Sequence, residues 1–260
     1  MLARYLARRF ACVLALLTIA MTAAAQQSIR LYGDVNWTLG TAASDFFRDY
    51  RTILGAGAAG FDVPVGLGLG IQSFQLGDGA IGLATGYRRS VVRETYNYDP
   101  RTAPTAIGPA QGVGQTILLS VIPALLTIDY IPRHRQFTGY VGAGVGLASV
   151  DLSWEEYLTS SQEPGARQSG VRYSDHHLVP AAMVRAGVSL LFDDPFSSET
   201  RAGVYVETAY EYVPVSASLM QRIATTLPAV PSQFDQPYNI QAGGIVLRVG
   251  FQVMVTSVRR

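Results

Sequence analysis

Most of the chain after residue 25 alternates between apolar and polar or small residues. Eight segments keep a period of two, which is the pattern of β-strands whose two faces differ. These segments are Ser28–Gly40, Gly57–Phe74, Ala80–Tyr96, Gln115–Ile131, Phe137–Trp154, His177–Phe192, Ala202–Val213 and Tyr238–Val255. Most are longer than the mean globular strand of about 5–6 residues. They match the roughly 9–11 residues, plus overhang, that a tilted strand needs to cross a bilayer.

The connections between these segments alternate strictly between long and short. The long ones are TAASDFFRDYRTILGA, NYDPRTAPTAIGPAQGVG, EEYLTSSQEPGARQSGVRYSDH and PVSASLMQRIATTLPAVPSQFDQP, and the short ones are QLGDG, PRHRQ and DDPFSSET. Bacterial outer-membrane barrels have short periplasmic turns at one end and long external loops at the other. The pattern therefore predicts an all-β protein, an eight-stranded antiparallel up-and-down transmembrane β-barrel, over residues 26–260.

One face of each predicted strand is apolar, and the other is small or charged. Because charged residues share a face with glycines, which suit a crowded interior better than a wet surface, we expect this face to line the lumen. An eight-stranded barrel is only wide enough for side chains to fill it. The parity puts four arginines and five acids inside, which predicts a salt-bridged plug and disfavours a pore. These residues are Arg30, Asp34, Arg88, Glu94, Asp129, Arg185, Glu207, Glu211 and Arg248.

The segment TGYVGAGVGLAS (Thr138–Ser149) has glycine or alanine at every second place. Its predicted lumen face holds Gly142, Gly144 and Gly146, and its predicted lipid face holds Val141, Ala143, Val145 and Leu147. Alternatively, the glycines mark bulges and kinks that curve the barrel, and both roles are compatible. Aromatic residues near strand ends predict interfacial girdles, namely Trp37, Tyr87, Tyr96, Tyr130, Tyr140, Trp154, Phe192, Tyr210 and Tyr212.

The first 25 residues have the features of a secretory signal peptide. Arg4, Arg8 and Arg9 precede the apolar stretch ACVLALLTIAM, and Ala23–Ala25 fits a cleavage site before Gln26. The apolar run is too short for a membrane anchor, and no later run reaches the roughly 18 apolar residues of a transmembrane helix. Because Cys12 is the single cysteine, the predicted mature chain has no thiol chemistry.

The content of charged residues bears on which partners the protein could bind. The chain is 48% hydrophobic and 15% charged, and all 20 of its basic residues are arginine. Without the signal peptide, 17 arginines stand against 19 acidic residues, a formal charge near −2. Nothing in this balance indicates nucleic-acid binding.

Three segments resemble the small outer-membrane barrels of the OmpA/OmpX-like superfamily, in particular the broad outer membrane protein beta-barrel domain group. They are Val121–Pro132 (VIPALLTIDYIP), Tyr140–Leu147 (YVGAGVGL) and Gly243–Val253 (GGIVLRVGFQV). The resemblance implies a fold and a membrane, but no activity. Such barrels usually end on an aromatic residue that the insertion machinery reads, whereas here QVMVTSVRR follows Phe251. We therefore expect a relative of this group that has the barrel without a peptidoglycan-binding domain.

Candidate chemistry is sparse. His176 and His177 follow Ser174 and Asp175 at a predicted rim, so a Ser–His–acid set is conceivable, while His134 lies in a predicted periplasmic turn. Adjacent histidines on a strand point to opposite faces, so at most one could serve as a base. A metal site formed by both histidines and Asp175 is not expected either, because their spacing does not converge on one ion.

Two acidic pairs and the glycine-rich strands add no site. Glu155–Glu156 could bind surface cations, and Asp193–Asp194 before Pro195 is typical of a turn. The glycine spacings have no helix after them, so they do not predict a phosphate loop. We therefore predict no catalytic residue, cofactor or metal ligand.

The favoured function is a monomeric outer-membrane protein with a structural, adhesive or surface-interaction role through its external loops. Its expected partners are outer-membrane lipid, lipopolysaccharide and the barrel insertion machinery. One alternative is a lipid-modifying enzyme of the outer leaflet, with His176 or His177 as base. Another is a soluble periplasmic lipid-binding barrel, which predicts the reverse facing, with valine and leucine inside. Fold alone does not decide among them.

Overall fold

The computed structural model describes residues 26–37, 43–54, 60–98, 111–132, 136–159, 171–192, 200–218 and 237–256. The predicted signal peptide 1–25, His134 and the turn Asp193–Pro195 lie outside these ranges. The described elements are β1 (Gln26–Trp37), α1 (Ser44–Leu54), β2 (Val65–Leu76), β3 (Gly79–Tyr98), β4 (Gln111–Tyr130), β5 (Phe137–Thr159), β6 (Val171–Phe192), β7 (Thr200–Tyr212), β8 (Pro214–Ala217), β9 (Tyr238–Gln241) and β10 (Gly244–Thr256).

Eight strands close into an antiparallel barrel, and β8 and β9 form a separate hairpin. Each barrel strand pairs with its neighbours in the chain, and β1 pairs with β10, from Gln26 opposite Thr256 to Trp37 opposite Ile245. The predicted eight-stranded antiparallel up-and-down barrel is confirmed. Closure pairs both sides of every barrel strand over the height that all eight strands share. Above that height, within the described ranges, β3 beyond Arg89 has no β2 partner and β6 before Ala182 has no β7 partner.

The barrel is taller on one side. Strands β3–β6 have 20 to 23 residues, whereas β1, β2, β7 and β10 have 12 or 13. The short connections and both chain ends of the barrel lie at one end, so the extra residues extend beyond the barrel at the end with the long connections. We call this extension the outer wall, and it comprises residues 89–98, 111–120, 149–159 and 171–177.

Two predicted segments differ from the structure. The first long connection contains helix α1, with Asp45 in its first turn and Arg51 in its last, both favourable for the helix dipole. The predicted last strand, Tyr238–Val255, is broken at Ala242 and Gly243, and its first part pairs with β8 instead. Gly244 has a φ of 141°, which lets the chain turn from this hairpin into the barrel. Within the described ranges, no helix is long and apolar enough to span a membrane.

Candidate functional site

The outside of the barrel below the outer wall is an apolar belt. On β5 it runs over Phe137–Leu147, close to the roughly 9–11 residues of a membrane-crossing strand. Val145 and Leu247 are typical, with 64% and 40% of their surfaces exposed. The outward facing predicted for Val141, Ala143, Val145 and Leu147 is confirmed. A soluble protein seldom leaves such a continuous apolar surface uncovered.

Aromatic side chains border this belt at both ends. The outward-facing rings are Trp37, Tyr87, Tyr210 and Tyr212 near the outer wall, and Tyr130, Phe137 and Phe192 near the short turns. Two residues predicted for the girdles, Tyr140 and Trp154, instead point inward and are buried. The side chain of Tyr96 lies outside the described part of the structure.

The barrel interior below the outer wall is crossed by a charge network. Eight of the nine ionisable residues predicted for the lumen are buried there, four arginines and four acids, and Glu94 is half-buried. The network consists of Arg30, Asp34, Arg88, Asp129, Arg185, Glu207, Glu211 and Arg248. Burying a charge is costly unless it is paired, and this balance lets every charge meet an opposite one.

One half of the network is built around Asp129. Arg185 donates to both of its carboxylate oxygens, at 2.8 and 2.6 Å, in a bidentate pair. Gln72 donates to the same carboxylate at 2.6 Å. Arg185 also lies 3.5 Å from Glu207, which links this pair to the rest of the network.

The other half is built around Arg248. This side chain donates to Glu207 at 2.5 Å and to Glu211. Glu211 also accepts from Arg88, whose Nε lies 3.6 Å from Asp34. The carboxylates and guanidinium groups therefore alternate across the interior of the barrel.

Arg30 joins the network through aromatic rings. Its guanidinium carbon lies 4.3 Å from the ring centre of Tyr140 and 4.9 Å from that of Tyr205, a cation–π arrangement. Tyr140 donates to Glu207 at 2.9 Å. This contact explains why Tyr140 points inward rather than to the membrane interface.

Glycines make room for these large interior side chains. A Cβ atom on Gly142 would lie 1.9 Å from Asp129 Oδ1, and one on Gly68 would lie 2.2 Å from the Tyr32 ring. A Cβ atom on Gly187 would meet the Tyr140 ring at 2.6 Å. The predicted lumen facing of the glycines is confirmed, and at these three positions its reason is the close approach of charged or aromatic groups.

The two faces exchange character in the outer wall. The inward face is now mainly apolar, with Val92, Ile117, Leu119, Val150, Leu152 and Trp154 buried. The outward face becomes mainly polar, with Ser149, Asp151, Ser153, Glu155, Arg89, Arg93, Arg172, Ser174 and His176. The expectation of one apolar face along whole strands is wrong here. Since successive side chains still point to opposite faces, the exchange indicates that the surroundings change from hydrocarbon to water.

A cap covers the inward face of the outer wall. It consists of α1 and the β8–β9 hairpin. Phe46 and Phe47 of α1 are buried in the same apolar cluster as Trp154. Tyr238 of the hairpin donates to Asp49 of α1 at 2.6 Å. Burial and this hydrogen bond raise the pKa of Tyr238 above its usual value, so the phenol stays neutral and keeps its donor proton.

Asp175 fastens the hairpin to the outer wall. Its Oδ2 accepts from the backbone amide of Ser218 at 2.8 Å and from the Ser218 hydroxyl at 3.1 Å. His177 Nε2 lies 3.1 Å from the same oxygen. Burial alone would raise the pKa of Asp175, but the contacts with Ser218 and His177 outweigh it and hold this pKa below its usual range.

The structure separates the predicted Ser–His–acid residues onto two faces. His177 and Asp175 face the cap, whereas Ser174 and His176 face outward. The acid beside His176 is Asp151 of β5, which the sequence reasoning missed. The alternating polar residues Ser149, Asp151, Ser153 and Glu155 were the available signal, but pairing Asp151 with His176 requires the register of β5 and β6.

Metal binding has no support in the described residues, where no group of three or more His, Cys, Asp or Glu side chains could hold an ion. Glu155 lies on the outward face of the outer wall, and the side chain of Glu156 is outside the described part. The absence of cofactors stays a prediction.

An apolar belt around an interior crossed by buried, paired charges is the arrangement of a transmembrane β-barrel. The soluble lipid-binding alternative requires valine and leucine to point into the barrel below the outer wall, whereas there most of them point outward. A scan against protein-family models finds no match, and a search of curated proteins finds none either.

Among solved structures, the chain is similar to outer membrane protein OprG of Pseudomonas aeruginosa, with 12% identity, a TM-score of 0.41, and coverage of 89% of this chain and 96% of that one. It is also similar to the N-terminal β-barrel domain of OprF of the same species, with 11% identity, a TM-score of 0.36, and coverage of 89% and 98%. A third is Ail, the attachment invasion locus protein of Yersinia pestis, with 9% identity, a TM-score of 0.36, and coverage of 89% of this chain and 99% of that one.

The resemblance to small outer-membrane barrels is thus confirmed as a likeness. With TM-scores this low, the likeness supports no statement about function. The evidence for the barrel is the pairing of the strands themselves.

Proposed function

We propose that this chain is an outer-membrane β-barrel that does not conduct and that acts through its capped outer end, in a structural or surface-interaction role. The observation that carries the proposal is that paired charges cross the interior at the level of the apolar belt while the cap packs against the inward face of the outer wall. A cavity between them, beside Asn36, Arg88 and Ser90, measures about 10 Å³, room for about one water.

The membrane placement follows from the belt and the two aromatic borders. In this placement residues 1–25 direct export, lipid and lipopolysaccharide contact the belt, and the insertion machinery assembles the barrel. The outer wall, the cap and the long connections then face the cell exterior. In this proposal the protein acts as a monomer, because no strand edge is free over the height that all eight strands share.

Fractionation and conductance together test this function. We expect the protein in the membrane fraction after alkaline extraction, with faster gel mobility before boiling than after, because a closed barrel resists detergent until heated. In planar lipid bilayers it should give no stable channels. Release into the soluble periplasmic fraction would overturn the placement. Steady conductance from a heat-modifiable protein would contradict the closed interior but leave the membrane placement standing.

A further inference from the structure

We propose that the outward face of the outer wall carries a serine hydrolase site for ester-linked acyl chains of membrane lipids. Ser174 is the nucleophile, His176 is the base, and Asp151 orients the imidazole. The inference rests on the membrane placement proposed above, and it adds an activity to a barrel whose interior is closed.

The first support is the geometry of the acid and the base. Asp151 of β5 lies directly opposite His176 of β6. The Asp151 Oδ1 atom is 2.5 Å from His176 Nδ1, and about half of each side chain is exposed. A carboxylate on Nδ1 holds the imidazole in the tautomer whose Nε2 accepts a proton from a hydroxyl. An exposed ion pair adds little to stability, so the barrel does not require this one.

The second support is the position of the serine. Ser174 is two residues from His176 on the same strand, so both side chains leave the same face. Their Cα atoms are about 6.5–7 Å apart at the rise of an extended strand. Side-chain rotation can bring a serine hydroxyl and an imidazole Nε2 together across this separation. The adjacent His177 points to the other face and contacts Asp175 instead.

The third support is the location at the border of the apolar belt. His176 is the last polar residue on the outward face of β6, and Leu178 begins the apolar run. In a bilayer, ester groups lie between the hydrocarbon and the charged headgroups, so this level of the wall meets them. Arg172 stands two residues beyond Ser174 on the same face, where it can attract a lipid phosphate.

The chemistry is hydrolysis, with water as the second reactant. Ser174 Oγ bonds to the ester carbonyl carbon while its proton passes to His176 Nε2. The bond from that carbon to the lipid alkoxide oxygen breaks, and the oxygen takes the proton from His176. Water then attacks the acyl-serine, and its proton returns through His176 to Ser174 Oγ. The products are a fatty acid and a lipid with one acyl chain fewer.

Fatty-acid release from two lipid sources tests the site. The full-length protein in detergent micelles is incubated with lipopolysaccharide or with a diacyl phosphatidylethanolamine, and free fatty acid is measured by mass spectrometry. We expect release from at least one source, which identifies the substrate. Ser174→Ala, His176→Asn and Asp151→Asn should each reduce it about 100- to 10,000-fold. Two matched controls, Ser153→Ala and His177→Asn, should keep wild-type release.

Covalent labelling gives a second readout. A fluorophosphonate should modify the peptide that contains Ser174, and His176→Asn should abolish the label. Every variant is first checked for heat-modifiable gel mobility, so a failed barrel is distinguished from a failed site. No release from either lipid together with no label, a label on another serine, or full activity in Ser174→Ala would each overturn the proposal.

Discussion

In the charge network, each buried residue has an oppositely charged partner, and removing one of the two should lower the free energy of unfolding. Arg248 is buried and holds Glu207 and Glu211 at once, while Arg88 holds Glu211 from the other side. Removing one member of a buried pair leaves a charge without compensation in a medium where water cannot replace the partner. The loss of any single member is therefore expected to destabilise the barrel.

The substitution Arg248→Glu should be strongly destabilising. It removes the shared cation and adds a carboxylate beside two others, so we expect a loss of at least about 3–5 kcal/mol. The temperature at which the folded band disappears on unboiled gels should fall. Arg93→Glu is the control, since Arg93 is exposed on the outward face of the outer wall, and it should change stability by less than about 0.5 kcal/mol. Equal unfolding temperatures for Arg248→Glu and the wild type would contradict the buried network.

Among the elements, the cap packs against the outer wall through apolar side chains and is also hydrogen-bonded to one carboxylate of the wall. Asp175 on β6 accepts two hydrogen bonds from Ser218, the residue immediately after β8. The lowered pKa means that the folded state favours the ionised form. This contribution is complete at neutral pH, above the ordinary carboxyl pKa of about 3.9, and is lost as the pH falls through the lowered value.

Acid should therefore loosen the hairpin. The amide proton resonance of Ser218 in micelles should shift with a midpoint below about 3.9, because its acceptor becomes protonated. In Asp175→Asn this titration should disappear. Asp151→Asn, which changes an exposed aspartate on the other face of the wall, should leave it intact. A Ser218 titration that survives in Asp175→Asn would show that another group fastens the hairpin.

At the scale of the whole molecule, the two faces of the taller strands exchange character at one level, which we call the border. Below the border the apolar side chains point outward, and above it they mainly point inward, under the cap. On β5 the outward sequence passes from Leu147 to Ser149, and on β6 it passes from Leu178 to His176. Ser149 lies opposite Leu178, so the two strands mark the same level. This level is where we place the outer surface of the membrane.

Cysteine labelling in intact cells tests the border and the orientation together. The described residues contain no cysteine, so one introduced thiol reports one position. Ser153→Cys should react with a membrane-impermeant maleimide, because it lies above the border in water. Val145→Cys, on the same face of β5, should react only after denaturation. Labelling of Ser153→Cys only in permeabilised cells would invert the orientation.

Local alternation and loop lengths were enough to predict the barrel, its strand number and the facing of Arg30, Asp129 and Arg248. These features depend on the two-residue period of a strand, which can be recognised from residues that are adjacent in the sequence. The sequence pattern does not predict helix α1, because its Phe46 and Phe47 are buried against residues such as Trp154 that are distant in the chain. A position at a strand end predicts a girdle for Trp154, whereas the cap that buries this side chain comes from other parts of the chain.

The acid beside His176 shows the same limit at a single site. A serine and two histidines are visible in RYSDHHL, and the nearest acid in the chain, Asp175, points to the opposite face from His176. Asp151 reaches His176 because the register of β5 and β6 places them opposite each other. Periodicity along one strand determines which face a side chain joins. Which residues meet on that face depends on strand pairing and closure, because those contacts join residues that are distant in sequence.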